Sequence, residues 1–314
     1  MTEPTPAPVP KHGFEWKVLA FQLFGLPLLI VAVCAGIFLL FGRLAGEKKD
    51  ARTLLAEVRK HAGYRSLEAW EYNPCWNAAR ELSLAIREEN AKASLRADPA
   101  FGKELVAVFD DARIQDEVRA WSALALGELG TPEGTQALMR GLADGAEDHR
   151  ASRYACAWAL GAAGSREAVA PLAGLLDSSS ASLRKISAYS LGAIGDEAAL
   201  KALPKALSDE APEVRWTAAI WLGSRHQACA AGVLGRFLDP ASVEAAWADK
   251  GQEQTRQMVL AGSAKAAGML RDPSLRPALE TLARDPNPAT SMAAKQALLA
   301  WDHPELEQPL PTAP

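Results

Sequence analysis

Apolar positions recur along this chain at helical spacing, and the helical segments themselves recur. Val118-Arg119 precedes Leu126-Gly127, and Ser152-Arg153 precedes Leu160-Gly161. Leu183-Arg184 then precedes Leu191-Gly192, and Val214-Arg215 precedes Leu222-Gly223. The arginines are 34, 31 and 31 residues apart, and each leucine follows its arginine by seven residues. At about 100° per residue, Val214, Ala218 and Leu222 share one helix face, which predicts a core-facing stripe. A second helix follows each first one, as at Glu167 to Leu176 and Ala198 to Leu207. An aspartate lies 16 or 17 residues after each glycine: Asp144, Asp177, Asp209 and Asp239. A repeat of this length predicts stacked helical hairpins, not a fold wrapped around one pocket.

A fifth unit fits the same ruler, with Gly268 followed by Asp285 and with Leu275, Leu279 and Leu282 on the helix between them. It starts 14 residues late, so 240–255 reads as an insertion forming a projecting loop. Thr290 to Trp301 is a solitary helix in register, a C-terminal cap closing a repeat block over 113–302. Residues 303–314 are proline-rich and predict a disordered tail. Upstream, Asn73-Pro74 opens a helix to about Glu89, with Asn73 as cap and Pro74 at the first helical position. With Phe101 to Phe109 it predicts an N-terminal capping hairpin over 73–112. Residues 43–72 read as a helical stalk or linker, with Leu54, Leu55 and Val58 at helical spacing. That helix either continues from the segment before it or folds back on the first repeat.

The segment before it changes the picture. Val18 to Gly42 is apolar apart from Gln22. As a helix it is roughly 37 Å long, enough to cross a bilayer. Its apolar run is too long for a signal peptide, and no small-x-small site follows. Residues 18–42 therefore predict one transmembrane helix. Residues 1–17, short and proline-rich, predict a disordered tail. Arg43, Lys48, Lys49, Arg52, Arg59 and Lys60 on one side outnumber Lys11 and Lys17 on the other. That excess predicts a single-pass membrane protein with its repeats in the cytoplasm.

Composition narrows the chemistry. The 314 residues are 49% hydrophobic and carry a formal charge of −4, which disfavours a nucleic-acid partner. The four cysteines are dispersed, without metal-ligand spacing. No Gly-rich phosphate loop or nucleophile elbow is present. The five histidines are scattered, and His226 with Cys229 makes only half of a zinc site. No catalytic residue, metal or cofactor is expected.

Asp209-Glu210-Ala211-Pro212-Glu213-Val214-Arg215, then Ala218-Ala219 and Leu222-Gly223, resembles the HEAT-like repeats of the phycobilisome-lyase type. The resemblance covers about residues 110 to 300. It implies an all-α fold: an α-solenoid of about five HEAT-like hairpins with end caps, here preceded by the transmembrane helix. It also implies that the Val-Arg helices line a concave surface. The column of Arg119, Arg153, Arg184 and Arg215 and the column of Asp144, Asp177, Asp209 and Asp239 read as structural links between units. Positions two and six after the first residue lie about 200° and 240° round the helix, opposite the core stripe. There stand Ala120 and Leu124, Tyr154 and Trp158, Lys185 and Tyr189, and Trp216 and Ile220. Such apolar groups mark either an interaction stripe or filling between adjacent units. As a stripe, Leu124, Tyr154, Trp158, Lys185, Tyr189, Trp216 and Ile220 would bind a protein or peptide. The functional expectation is a membrane-anchored scaffold or adaptor that recruits or assembles a membrane complex. The alternatives are a lyase-type subunit handling a pigment or cofactor, and an extracytoplasmic solenoid binding envelope components.

Overall fold

The computed structural model describes residues 49–63, 73–144, 150–247 and 253–303. The chain divides into two units, Met1–Lys49 and Asp50–Pro314. The expected tail 1–17, membrane helix 18–42 and end 304–314 lie outside the described residues. None of the described helices is long and apolar enough to cross a membrane.

The second unit is all helical among the described residues. In chain order the helices are α1 (Ala51–Lys60), α2 (Pro74–Ile86), α3 (Glu89–Arg96) and α4 (Pro99–Asp110). Then come α5 (Asp116–Leu129), α6 (Pro132–Ala143), α7 (Arg150–Ala162), α8 (Val169–Leu175), α9 (Ala181–Ile194) and α10 (Glu197–Ala202). The last six are α11 (Pro212–Ser224), α12 (Ala231–Phe237), α13 (Pro240–Ala246), α14 (Glu253–Leu270), α15 (Arg276–Leu282) and α16 (Pro288–Asp302). Local signals set these limits. Asp50, Asn73, Asp98, Thr131, Asp196 and Asn287 each accept a bond from a first-turn amide. Proline occupies the first turn of α2, α4, α6, α11 and α16, where no intrahelical donor is lost.

Two layers result. Helices α2, α5, α7, α9, α11, α14 and α16 stack side by side, each on the next. Helices α4, α6, α8, α10, α12 and α15 form the second layer behind them. The repeated leucines Leu126, Leu160, Leu191 and Leu222 are fully buried between layers, each contributing about 1.5–3 kcal/mol of transfer free energy. The repeated glycines are sockets in the first layer. A Cβ on Gly127 would lie 2.6 Å from Ala159 Cβ, and one on Gly161 would lie 2.6 Å from Ser190 Cα. Gly192 faces Trp221, Gly223 faces Ala266 and Gly268 faces Ala297. Gly127, Gly161, Gly192 and Gly268 therefore admit the following helix at a distance that no side chain permits, and Gly223 at one that is tight for a side chain. In α16 the same column holds Leu299, which is 53% exposed.

Three boundaries differ from the sequence reading. The described part of the expected stalk is not free: α1 lies on α2 and α4. Its Leu54, Leu55 and Val58 are buried, and Cys75 Sγ donates to Val58 O at 3.5 Å. The capping layer thus begins at Ala51, because the stack end needs an apolar cover and α1 has one face to offer. The expected capping hairpin contains an additional helix, α3. The expected loop 240–255 begins with α13, whose Val243 is buried and whose neighbour Trp247 lies 5.6 Å from Phe237 between ring centroids. Asp239 caps this helix through Ser242 N at 3.1 Å, so its described part is a packed element.

Candidate functional site

The arginine column closes the ends of second-layer helices. Arg119 donates to Phe109 O and Asp111 O at 3.1 Å each, and Arg153 donates to Leu142 O at 2.9 Å. Arg215 donates to Asp209 O at 2.7 Å and Glu210 O at 2.8 Å. These carbonyls lie at or just past the ends of helical segments, where no amide follows, and a guanidinium also suits the negative end of the dipole. Arg184 goes further. It donates to Ser178 O at 2.9 Å and holds Asp209, in the next unit, at 2.8 and 3.0 Å. Both side chains of that pair are buried. Burial raises the Asp209 carboxyl, but bonds from Arg184 and Ala211 N with the charges of Arg184 and Arg215 outweigh it, so it titrates below the usual range. Of the other aspartates, Asp177 pairs with Lys205, Asp239 caps α13, and Asp144 ends α6. Asp209 thus makes the aspartate-to-arginine link between successive units. Arg256 and Asp285 repeat it at 3.2 Å.

The stripe divides. Positions two and six face the next helix of the first layer rather than open solvent alone. Trp216 donates from Nε1 to Ser263 Oγ at 3.2 Å, and it lies with Ile220 against Gly262 in the α11–α14 seam. Leu124 is half-buried against the core. Tyr154 and Tyr189 are 37% and 38% exposed, and Lys185 is half-buried. Burial, and then the neighbouring Tyr189, hold the Tyr154 phenol above its usual value, so its ring presents a neutral hydroxyl at neutral pH. Tyr189 meets Trp221 edge-on at 5.4 Å. Trp221 was not among the expected residues. Its signal lies in the self-alignment: the column two before each glycine reads Ala125, Ala159, Ser190, Trp221, Ala266. The same geometry sets Trp76 of α2 against Trp121 of α5 at 5.9 Å.

Trp158 lines a cleft of about 630 Å³ between the α5–α6 and α7–α8 turns. Lys92 and Arg96 of α3 and Arg166 after α7 contribute cations, while Glu128 and Glu167 contribute carboxylates. Glu128 is engaged by Arg87 at 2.7 Å. Gly130, in the left-handed region at φ 64°, ends α5 beside Arg96. Among the described residues, no group of three or more His, Cys, Asp or Glu could hold a metal ion. Cys75 and Cys156 are buried thiols, the first pushed up to about 11 by burial.

The repeat architecture agrees with known proteins. Residues 103–191, 146–223 and 172–250 match the family model of HEAT repeats. Among solved structures, Escherichia coli YibA is 16% identical and aligns over 81% of this chain and 97% of its own, with a TM-score of 0.51. The complex of CpcE and CpcF of phycocyanin lyase from Nostoc sp. PCC7120 is 18% identical over 85% of this chain and 92% of that one, at 0.49. A designed armadillo repeat protein in complex with the peptide (KR)4 is 18% identical over 81% and 100%, at 0.37. No curated protein matches the sequence. The described residues after Lys49 form an all-helical repeat solenoid, and residues 103–250 of it match HEAT repeats.

Proposed function

We propose that the protein is a membrane-anchored scaffold that binds a protein or peptide along its arginine-bearing helices and performs no chemistry of its own. The observation that supports this reading is the pair Tyr154 and Tyr189. They stand more than a third exposed on adjacent repeats, with Trp158 lining the adjoining cleft. Rigid aromatic groups of this kind give up little entropy on binding and dominate interface energetics. The apolar run Val18 to Gly42 supplies the anchor, and the lysines and arginines after it place the repeats in the cytoplasm. Confinement at the membrane raises the effective concentration of a recruited partner, which suits recruitment or assembly of a membrane complex.

A photo-crosslinking residue placed at Tyr154 or Tyr189 in cells tests the face. The same partner should cross-link from both positions and not from Met292, at the other end of the stack. Tyr154→Ala with Tyr189→Ala should abolish its capture while helicity is retained. An unchanged partner list would sink the proposal. A reporter fused after Pro314 should be active only on the cytoplasmic side, and activity on the opposite side would reverse the orientation.

A further inference from the structure

The cleft beside Trp158 departs from the repeat in one respect: part of its wall comes from α3, a helix with no counterpart in the other units. Through α3 the cleft gains Lys92 and Arg96, and the turn after α7 adds Arg166. Of the two carboxylates in the cleft, Glu128 is already held by Arg87 at 2.7 Å and Lys92 at 3.9 Å, and Glu167 is exposed. The side chains of Arg96 and Arg166 are exposed and make no hydrogen bond or ion pair within the described residues. Two unpaired guanidiniums thus line the same cleft as an indole, in a molecule whose net charge is −4. Unlike charge on a solvated helix face, these cations sit in a concave site, where low-dielectric walls strengthen attraction for an anion.

We infer that this cleft is a docking site for an acidic, extended segment of the partner protein. Its carboxylates would pair with Arg96 and Arg166, and an apolar side chain would lie on Trp158. Guanidiniums bind carboxylates through paired parallel bonds, which fixes direction as well as charge. The inference rests on the scaffold reading and names the chemistry of the partner. Nucleic acid is disfavoured, because a cleft with only three cations and two carboxylates cannot track a phosphate backbone.

Full-length protein in detergent micelles is titrated into two short fluorescein-labelled peptides, Glu alternating with Leu and Gln alternating with Leu, and anisotropy is read at two salt concentrations. The Glu peptide should bind roughly tenfold more tightly than the Gln peptide, and salt should reduce that margin. Arg96→Glu with Arg166→Glu should remove the preference while leaving the melting temperature unchanged, since neither side chain supports the fold. Met292→Ala, exposed at the other end of the stack, should keep it. Equal binding of both peptides, no binding of the Glu peptide, or a preference that survives charge reversal would overturn the inference. So would tighter binding of single-stranded oligothymidylate. If charge reversal has no effect while cross-links at Tyr154 and Tyr189 still report a partner, the cleft assignment fails and the scaffold reading stands.

Discussion

Two residue types carry the packing logic of each unit, and both can be tested singly. Gly161 is a socket for Ser190, whereas Gly174, on α8, has nothing within 4 Å of a built Cβ. Gly161→Ala should therefore destabilise by about 1–3 kcal/mol through overpacking. Gly174→Ala should stabilise by about 0.4–1 kcal/mol through the unfolded state. Urea midpoints of the two variants check both signs, and equal shifts would refute the socket. Asp209 gives a pH signature. Its folded pKa lies below its unfolded value, so its stabilisation is complete above about pH 4 and lost as pH falls through the folded value. Asp209→Asn should cost about 3 kcal/mol at neutral pH, because Arg184 loses a buried partner. The gap from wild type should close on acidification, as thermal melts across that range will show. The Arg and Gly columns were legible in the sequence because the chain aligns with itself. The partners of the arginines were not, since main-chain carbonyls leave no mark on residue identity. The stripe was only half legible. A helical wheel shows which residues oppose the core, but it does not choose between an open stripe and filling between adjacent units, and Trp216 and Ile220 took the second place.

At the scale of elements, the informative departures are α1, α3 and α13. Each lies where the repeat breaks down and where periodicity has least to say. The apolar spacing of α1 was visible, but two destinations fitted it, and only the need to cover the end of the stack separates them. Leu55 is 1% exposed and belongs to that cover. Leu55→Ala should cost about 2–5 kcal/mol. In a stack whose units touch only neighbours, the damage should be local. Hydrogen exchange should accelerate in α1, α2 and α4 before it does in α14 or α16. Uniform acceleration along the chain would show the unit to be one cooperative block.

For the whole molecule, the division at Lys49 makes a direct prediction. Residues 50–314 hold a continuous core of their own. That fragment should be recovered in the soluble fraction with the helicity and melting behaviour of the full chain, while the full chain sediments with membranes. Sedimentation of the fragment as well would remove 18–42 as the anchor. The sequence shows the architecture at this scale well, because a period needs no tertiary knowledge. It does not show the chemistry of the cleft, which gathers residues from three separate stretches of chain around an irregular helix. The last first-layer helix has one further meaning. Inner helices present glycine to the helix that follows, but α16 presents Leu299. A helix seated on α16 with the same spacing would have to displace the Leu299 side chain, whereas one seated on an inner helix meets a glycine. One leucine thus makes this end of the stack a poorer seat for a further copy of the unit than any surface inside it.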